Sequence, residues 1–226
     1  MKKKVDFDNY SDEYNQIMQE QHKIFGDVNY YSEYKAEIVK NIISDNNNLK
    51  ILEFGCGVGR NLKYLKSIGN NNQIYGYDIS EESLIIARKE NPEVTIVGTE
   101  KELLSHMEFF DLIFIAGVYH HIEVILRDTI TKNLRTLLKS NGKLVIFEHN
   151  PYNPITRHLV NTCEFDADAV LLKKQEVIDL FCKKNFSVDT SGYALFIPPR
   201  LQKINFIEKY FKWLPLGGQY YVLFNK

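Results

Sequence analysis

The chain has 226 residues, 44% of them hydrophobic, enough for one buried core and one α/β-sized domain spanning 1–226. Its 28 basic and 29 acidic residues leave a net charge of −1, which argues against capture of nucleic acid by a basic stripe. No run approaches the roughly 18 apolar residues of a membrane span, and MKKKVDFDNY has no apolar segment behind its lysines, so neither a span nor a signal peptide is expected. Cys56, Cys163 and Cys182 are odd in number and far apart, which suggests reduced thiols in a cytoplasm, not a disulfide frame or zinc site.

Residues 1–45 read as a polar, tyrosine-rich helical arm carrying Tyr10, Tyr14, Tyr30, Tyr31 and Tyr34. Ser11 is a candidate cap for one helix, and Ser32 with Glu33 for a second over 32–44, before the turn Asp45-Asn46-Asn47-Asn48. Two readings of this arm stand side by side: packing against the domain, or a lid over a ligand.

Residues 51–60, ILEFGCGVGR, give the end of a buried strand, then glycines at 55, 57 and 59, then a helical run. Strand, glycine turn and helix aim backbone N–H groups at a ligand, and glycine lets the backbone approach it closely. From there strand and helix alternate. Strands are expected over 50–54, 73–78, 93–97, 111–116 and 143–148, and helices over 59–68, 81–90 and 126–139. Asn141-Gly142 reads as the turn into the fifth strand. The alternation predicts a parallel sheet covered by helices on both faces.

Segment 148–172 reads as an irregular insertion at a strand end, stiffened by Asn150-Pro151 and Asn153-Pro154, and is the candidate acceptor pocket. Beyond it, 173–185 reads as a helix, 193–197 and 219–224 as two edge strands, and 201–212 as a helix between them.

The glycine turn departs from the dinucleotide fingerprint G-x-G-x-x-G, because Arg60 stands where the third glycine belongs. An acid, Asp78, ends the next strand, placed to accept hydrogen bonds from two vicinal ribose hydroxyls. Together ILEFGCGVGR, IYGYDIS, FFDLIFIAGVYHHI and NGKLVIFE resemble the class I S-adenosylmethionine-dependent methyltransferases over about residues 35–148. The resemblance implies a Rossmann-like, seven-stranded, mostly parallel sheet with an antiparallel last strand.

It also implies a cofactor site. Glu53, Gly55, Cys56, Gly57 and Gly59 surround the methionine part of S-adenosylmethionine, Asp78 holds the ribose and Ile79 packs on the adenine. Ala116 and Gly117 line the path to the sulfonium, and Tyr31 and Lys35 stand where the family recruits an aromatic and a cation for the cofactor carboxylate. The acid that commonly follows glycine after the third strand is displaced here to Gly98-Thr99-Glu100, which leaves Thr99, Glu100 or a backbone group as the adenine partner.

Methyl transfer from a sulfonium needs alignment and, for a hydroxyl acceptor, a base. The candidate bases are His120, His121 and His149, while Glu148 either orients a histidine or sits hydrogen-bonded at its strand end. The histidine pair has a structural alternative, since such a pair is common in the family. Tyr119, Asn150 and Arg157 are acceptor-site candidates; Arg157 offers bidentate geometry for an anion, against a plain salt bridge to Asp166 or Asp168. Tyr152 and Phe165 are candidate floors for a ring.

No clustered Asp/Glu/His spacing suggests a magnesium site, so no metal is expected. The favoured expectation is O-methylation of a sugar, nucleotide-linked sugar or related bacterial metabolite by a monomer or homodimer. The sugar part rests on the EHNPYNPITR and GGQYY stretches, which resemble surface-polysaccharide methyltransferases. The alternatives are a non-catalytic cofactor-binding subunit, a nucleic-acid N-methyltransferase suggested faintly by Asn150-Pro151-Tyr152, and a nicotinamide-dependent oxidoreductase disfavoured by Arg60.

Overall fold

The five apolar runs between residues 50 and 149 form the parallel part of one sheet. They are β1 (Lys50–Phe54), β2 (Gln73–Tyr77), β3 (Thr95–Val97), β4 (Phe110–Ala116) and β5 (Leu138–His149). With β6 (Ser187–Ala194) and β7 (Gln219–Asn225) they make a seven-stranded sheet of order β3-β2-β1-β4-β5-β7-β6. β7 runs antiparallel to both β5 and β6; the other pairings are parallel. The computed structural model describes residues 28–43 and 47–226. The first expected helix, with Tyr10, Ser11 and Tyr14, lies outside the described residues.

Side chains alternate across the central strands and divide into two apolar layers. Leu52, Ile113, Leu144, Ile146 and Val222 pack in one, while Ile51, Leu112, Phe114, Val145 and Leu223 pack in the other. Helices cover these layers: α1 (Val28–Ile42), α2 (Leu62–Lys66), α3 (Glu81–Glu90), α4 (Glu100–Leu104), α5 (Val124–Leu137), α6 (Pro154–Thr162) and α7 (Lys174–Cys182). Because the chain runs from β1 outward through β3 and then returns to β4, the strand order reverses between β1 and β4. In open α/β sheets the crevice at the carboxyl ends of such strands is where ligands bind.

Several expectations are corrected. α2 begins at Leu62, not at residue 59, because Gly59 sits at φ +83° and the turn continues through it. β5 starts at Leu138: Leu138 pairs with Phe110 and Lys143 with Leu112, so Asn141-Gly142 lies in a bulge within the strand. Segment 148–172 is not irregular throughout. Asn153-Pro154 starts α6: the Asn153 side chain caps it by accepting from the Thr156 N–H, and proline takes the first turn. The expected 201–212 helix is a 3₁₀ stretch, Pro199–Tyr210, broken at Leu201.

β5 and β7 are tied together just past their paired ends by a buried asparagine. Asn150 Nδ2 donates to the Pro215 carbonyl at 3.1 Å and the Gly217 carbonyl at 2.7 Å, and Oδ1 accepts from the Tyr152 N–H at 3.1 Å. The Asn150 N–H donates to the Gly218 carbonyl at 3.0 Å. Truncation leaves buried carbonyls without donors, so Asn150→Ala should lower unfolding free energy by roughly 1–3 kcal/mol in urea titration. An unchanged midpoint and slope would contradict this role.

Candidate active site

The glycine turn is built by hydrogen bonds to the end of β2. The Gly55 and Cys56 N–H groups both donate to the Tyr77 carbonyl, at 2.8 and 2.9 Å. The Gly57 N–H donates to Asp78 Oδ2 at 2.8 Å, and Asp78 Oδ1 accepts from the Ser80 N–H at 3.0 Å. Gly57 has φ +50°, and a Cβ there would meet nothing within 4 Å, because the space beyond it is the cleft. Gly55 is glycine for a different reason: at φ +78° its Cβ would lie 2.4 Å from Val118 on the facing strand end. Bare backbone thus lines one wall of a cavity of about 870 Å³ that reaches from Asp78 and Ile79 to His149.

Glu53, at the end of β1, is almost fully buried. Its Oε1 accepts from Asn61 Nδ2 at 2.6 Å, whereas its Oε2 has no hydrogen-bond partner among the described residues. Burial pushes the Glu53 carboxyl up to about 8, against the opposing pull of Asn61 and Lys35. Lys35, on the cavity wall, is lowered to about 8 by burial, with Glu53 opposing. Glu53 lies behind the cavity wall, and Lys35, which lines the cavity, is close enough to oppose its shift.

The rest of this cavity wall follows. Tyr31 lines the cavity, and burial pushes its hydroxyl up to about 12. Ile79 is 74% exposed on the rim, an apolar surface available to a flat ring. Ala116 and Gly117 line the cavity at the end of β4. Glu100 also reaches it, but Thr99 does not, because its hydroxyl caps α4 by accepting from the Glu102 N–H. Cys56 is buried, and burial holds its thiol well above the ordinary range.

The opposite wall is organised by Glu148. This buried carboxylate accepts at Oε1 from the Val118 and Tyr119 N–H groups, at 3.0 and 2.7 Å, and at Oε2 from His120 Nδ1 at 2.6 Å. Burial works against charge on His120, but Glu148 and Asp166 on its two sides outweigh it and raise the imidazolium to about 10. With both ring nitrogens directed at carboxylates, His120 holds its proton in the ion-free site and is less suited to act as a base there than His149. Glu148, despite burial, is held below the usual carboxylate range by His120, so it is the orienting group. His149 lines the cavity and is lowered to about 4 by burial and by the His120 charge.

The fold also gathers residues that sequence spacing hides. Asp166 Oδ1 stands 3.4 Å from His120 Nε2 and 3.3 Å from His121 Nε2, and Asp168 Oδ1 stands 3.2 Å from His121 Nδ1. The absence of clustered ligand spacing along the chain therefore does not carry into space. Three acceptor-site candidates are placed elsewhere. Tyr119 is buried and its hydroxyl is bonded to Thr131 at 3.0 Å, and Asn150 is consumed by the β5–β7 clasp. Arg157 is exposed on α6, whose cavity-facing residues are Ile155, Thr156 and Leu159, and both aspartates proposed as its partners face the histidines. Tyr152 is 54% exposed, and the Phe165 side chain lies outside the described residues.

Comparison with known proteins agrees with this geometry. A family model described as a methyltransferase domain matches residues 52–146, from β1 into β5. An uncharacterized protein of Rickettsia prowazekii is 28% identical over 160 residues, covering 66% of this chain and 64% of its own length. The chain thus spans just under two thirds of that relative. An uncharacterized methyltransferase of Alkaliphilus oremlandii is 26% identical over 162 residues, covering 66% of this chain and 73% of its own length. Among solved structures, a Thermotoga maritima protein described as a S-adenosylmethionine-dependent methyltransferase, possibly acting on histamine, superposes with a TM-score of 0.71 at 22% identity, covering 97% of this chain and 98% of that one. No described helix is long and apolar enough to cross a membrane. The family match runs through the glycine turn and Asp78, and the solved structures share the same sheet, so residues 52–146 match a methyltransferase domain and the chain has the fold of S-adenosylmethionine-dependent methyltransferases.

Proposed function

We propose that this chain methylates an oxygen of a small polar acceptor, in the favoured reading a sugar, nucleotide-linked sugar or related bacterial metabolite. The observation that supports methyl-donor binding best is the wall of open backbone at Gly57 with Asp78 behind it, both lining the cleft. S-adenosylmethionine bound there supplies a methyl group already activated on a sulfonium. In this reading Glu53 and Lys35 hold the amino-acid end, Asp78 the ribose hydroxyls and Ile79 the adenine face. The chain's own contribution is then mostly positioning, which can supply effective molarities of roughly 10⁵ M or more.

On the acceptor side, His149 is the proposed proton acceptor. It lines the cavity and is kept neutral at ordinary pH by burial and by the neighbouring His120 cation, their ring centroids 5.0 Å apart. Glu148 holds His120 in place and is not exposed to the acceptor. Asn153 and Thr156 at the start of α6, with the Gly218-Gln219 segment entering β7, complete this end of the cavity.

Asp78→Ala should weaken binding of S-adenosylmethionine by roughly 1.5–3 kcal/mol, the worth of hydrogen bonds to a charged group, read by isothermal titration calorimetry. Equal affinity in wild type and variant would remove Asp78 from the site. His149→Ala should lower kcat by about 10²–10⁴-fold while the cofactor dissociation constant stays put. An unaltered kcat would exclude His149 as the base.

Glu53 gives a prediction of opposite sign for stability. Its folded-state pKa of about 8 lies above the ordinary 4.5, so the stability it contributes is present below about pH 4.5 and is lost as pH rises through 8. Glu53→Gln keeps an oxygen for Asn61 and removes the buried charge. At pH 8 its melting temperature without cofactor should exceed wild type by at least about 2–4 °C, the equivalent of about 1 kcal/mol in a domain of this size. Its affinity for S-adenosylmethionine should nonetheless fall. A variant less stable than wild type at pH 8 would show that Glu53 is a stabilising, not a functional, carboxylate.

A further inference from the structure

We propose that His120, His121 and Asp166 form a binding site for one divalent transition-metal ion at the acceptor end of the cavity. The Nε2 atoms of both histidines converge on a single oxygen, Asp166 Oδ1, at 3.4 and 3.3 Å. The ligand atoms of the three residues all lie within 4.8 Å of one another. Atoms bound to one ion at about 2.0–2.2 Å lie roughly 3.0–3.5 Å apart, so the two histidine–aspartate separations already match a shared coordination sphere.

The second observation concerns the far side of each ring. His120 Nδ1 is 2.6 Å from Glu148 Oε2 and His121 Nδ1 is 3.2 Å from Asp168 Oδ1. Metal-binding imidazoles are characteristically gripped in this way by a carboxylate at the other nitrogen, which sets the tautomer and strengthens the ligand. Here both rings are gripped at Nδ1, and both direct Nε2 to the same place. Three carboxylates around two imidazoles also leave a dication favoured there.

The backbone preorganises the set. The histidines sit on the 3₁₀ turn Tyr119–His121 after β4, and Asp166 ends a second 3₁₀ turn, Glu164–Asp166. The Val170 N–H donates to the His120 carbonyl at 2.8 Å, and Arg127 Nη2 donates to the Val170 carbonyl at 3.2 Å, so the two segments are stitched together independently of any ion. All three side chains lie on the cavity wall, which leaves open coordination positions facing the acceptor space.

Two imidazoles and one carboxylate suit iron(II), cobalt(II), manganese(II), nickel(II) or zinc(II) and disfavour magnesium and calcium, which take oxygen ligands. The role of the ion rests on the methyl-transfer reading: it would bind an acceptor oxygen and lower the pKa of its hydroxyl. The metal site itself does not depend on that reading.

The test is titration of the chelator-stripped full chain with cobalt(II), followed by visible absorption and calorimetry, with S-adenosylmethionine affinity measured on the same samples. The expected result is saturable uptake of one cobalt per chain, a ligand-field spectrum of mixed nitrogen and oxygen coordination, and at least tenfold weaker binding in Asp166→Asn and in His121→Gln. Asp168→Asn, which removes only the outer grip on His121, should weaken binding about 10- to 100-fold. No saturable uptake by the wild type up to millimolar cobalt would overturn the site and leave a proton-bridged ion-pair network. Equal uptake by folded Asp166→Asn and His121→Gln, checked by circular dichroism, would show adventitious binding elsewhere and overturn it too. Loss of cobalt binding with intact S-adenosylmethionine binding in the wild type would sink this inference alone, whereas the reverse pattern would sink the cofactor reading alone.

Discussion

The hydrogen bond from the Gly57 N–H to Asp78 Oδ2 holds the cofactor half of the cleft together. It joins the turn after β1 to the end of β2, and the Tyr77 carbonyl reinforces it by accepting from Gly55 and Cys56. A turn pinned in this way presents backbone, not side chains, to the cavity. The same carboxylate lines the cavity, so the residue that sets the shape of the turn is also the one proposed to meet the ribose. Positive φ at Gly55 and Gly57 is what allows it, with Val118 excluding any larger residue at 55.

Glu148 does the corresponding work across the cleft, in the opposite electrostatic sense. Two backbone N–H groups and His120 keep it ionised in a buried place and tie the loop after β4 to the end of β5. Glu53 shows the contrast. It is equally buried but has one oxygen unsatisfied, and its carboxyl is pushed up where Glu148 is held down. A satisfied buried carboxylate is structural in effect; an unsatisfied one, here behind the cavity wall, carries a desolvation cost.

Much of the sheet was legible because its strands are buried on both faces and read as continuous apolar runs. β1 and α3 match the expected spans at both ends, and in the structure Ser80 caps α3 by accepting from the Ser83 N–H. β6 was read too late along the chain because its first half is an exposed, polar edge with no apolar signal. The site was less legible than the fold. Asn150 carries the same turn signature whether it binds a ligand or clasps two loops, and only its burial and four hydrogen bonds decide. Arg157 looked available in a loop, but in α6 it lies on the exposed side while Thr156 and Val160 are buried. Asp166 meets the histidines only through tertiary folding, so no spacing along the chain announces it.

The proposed ligand of the cleft is a sulfonium nucleoside carrying an amino-acid tail. The most direct measurement is calorimetric titration of the wild-type chain with S-adenosylmethionine and, separately, with NAD⁺. Saturable one-site binding of the first and none of the second is the predicted result. No heat and no thermal shift with S-adenosylmethionine, or tighter binding of NAD⁺, would contradict it.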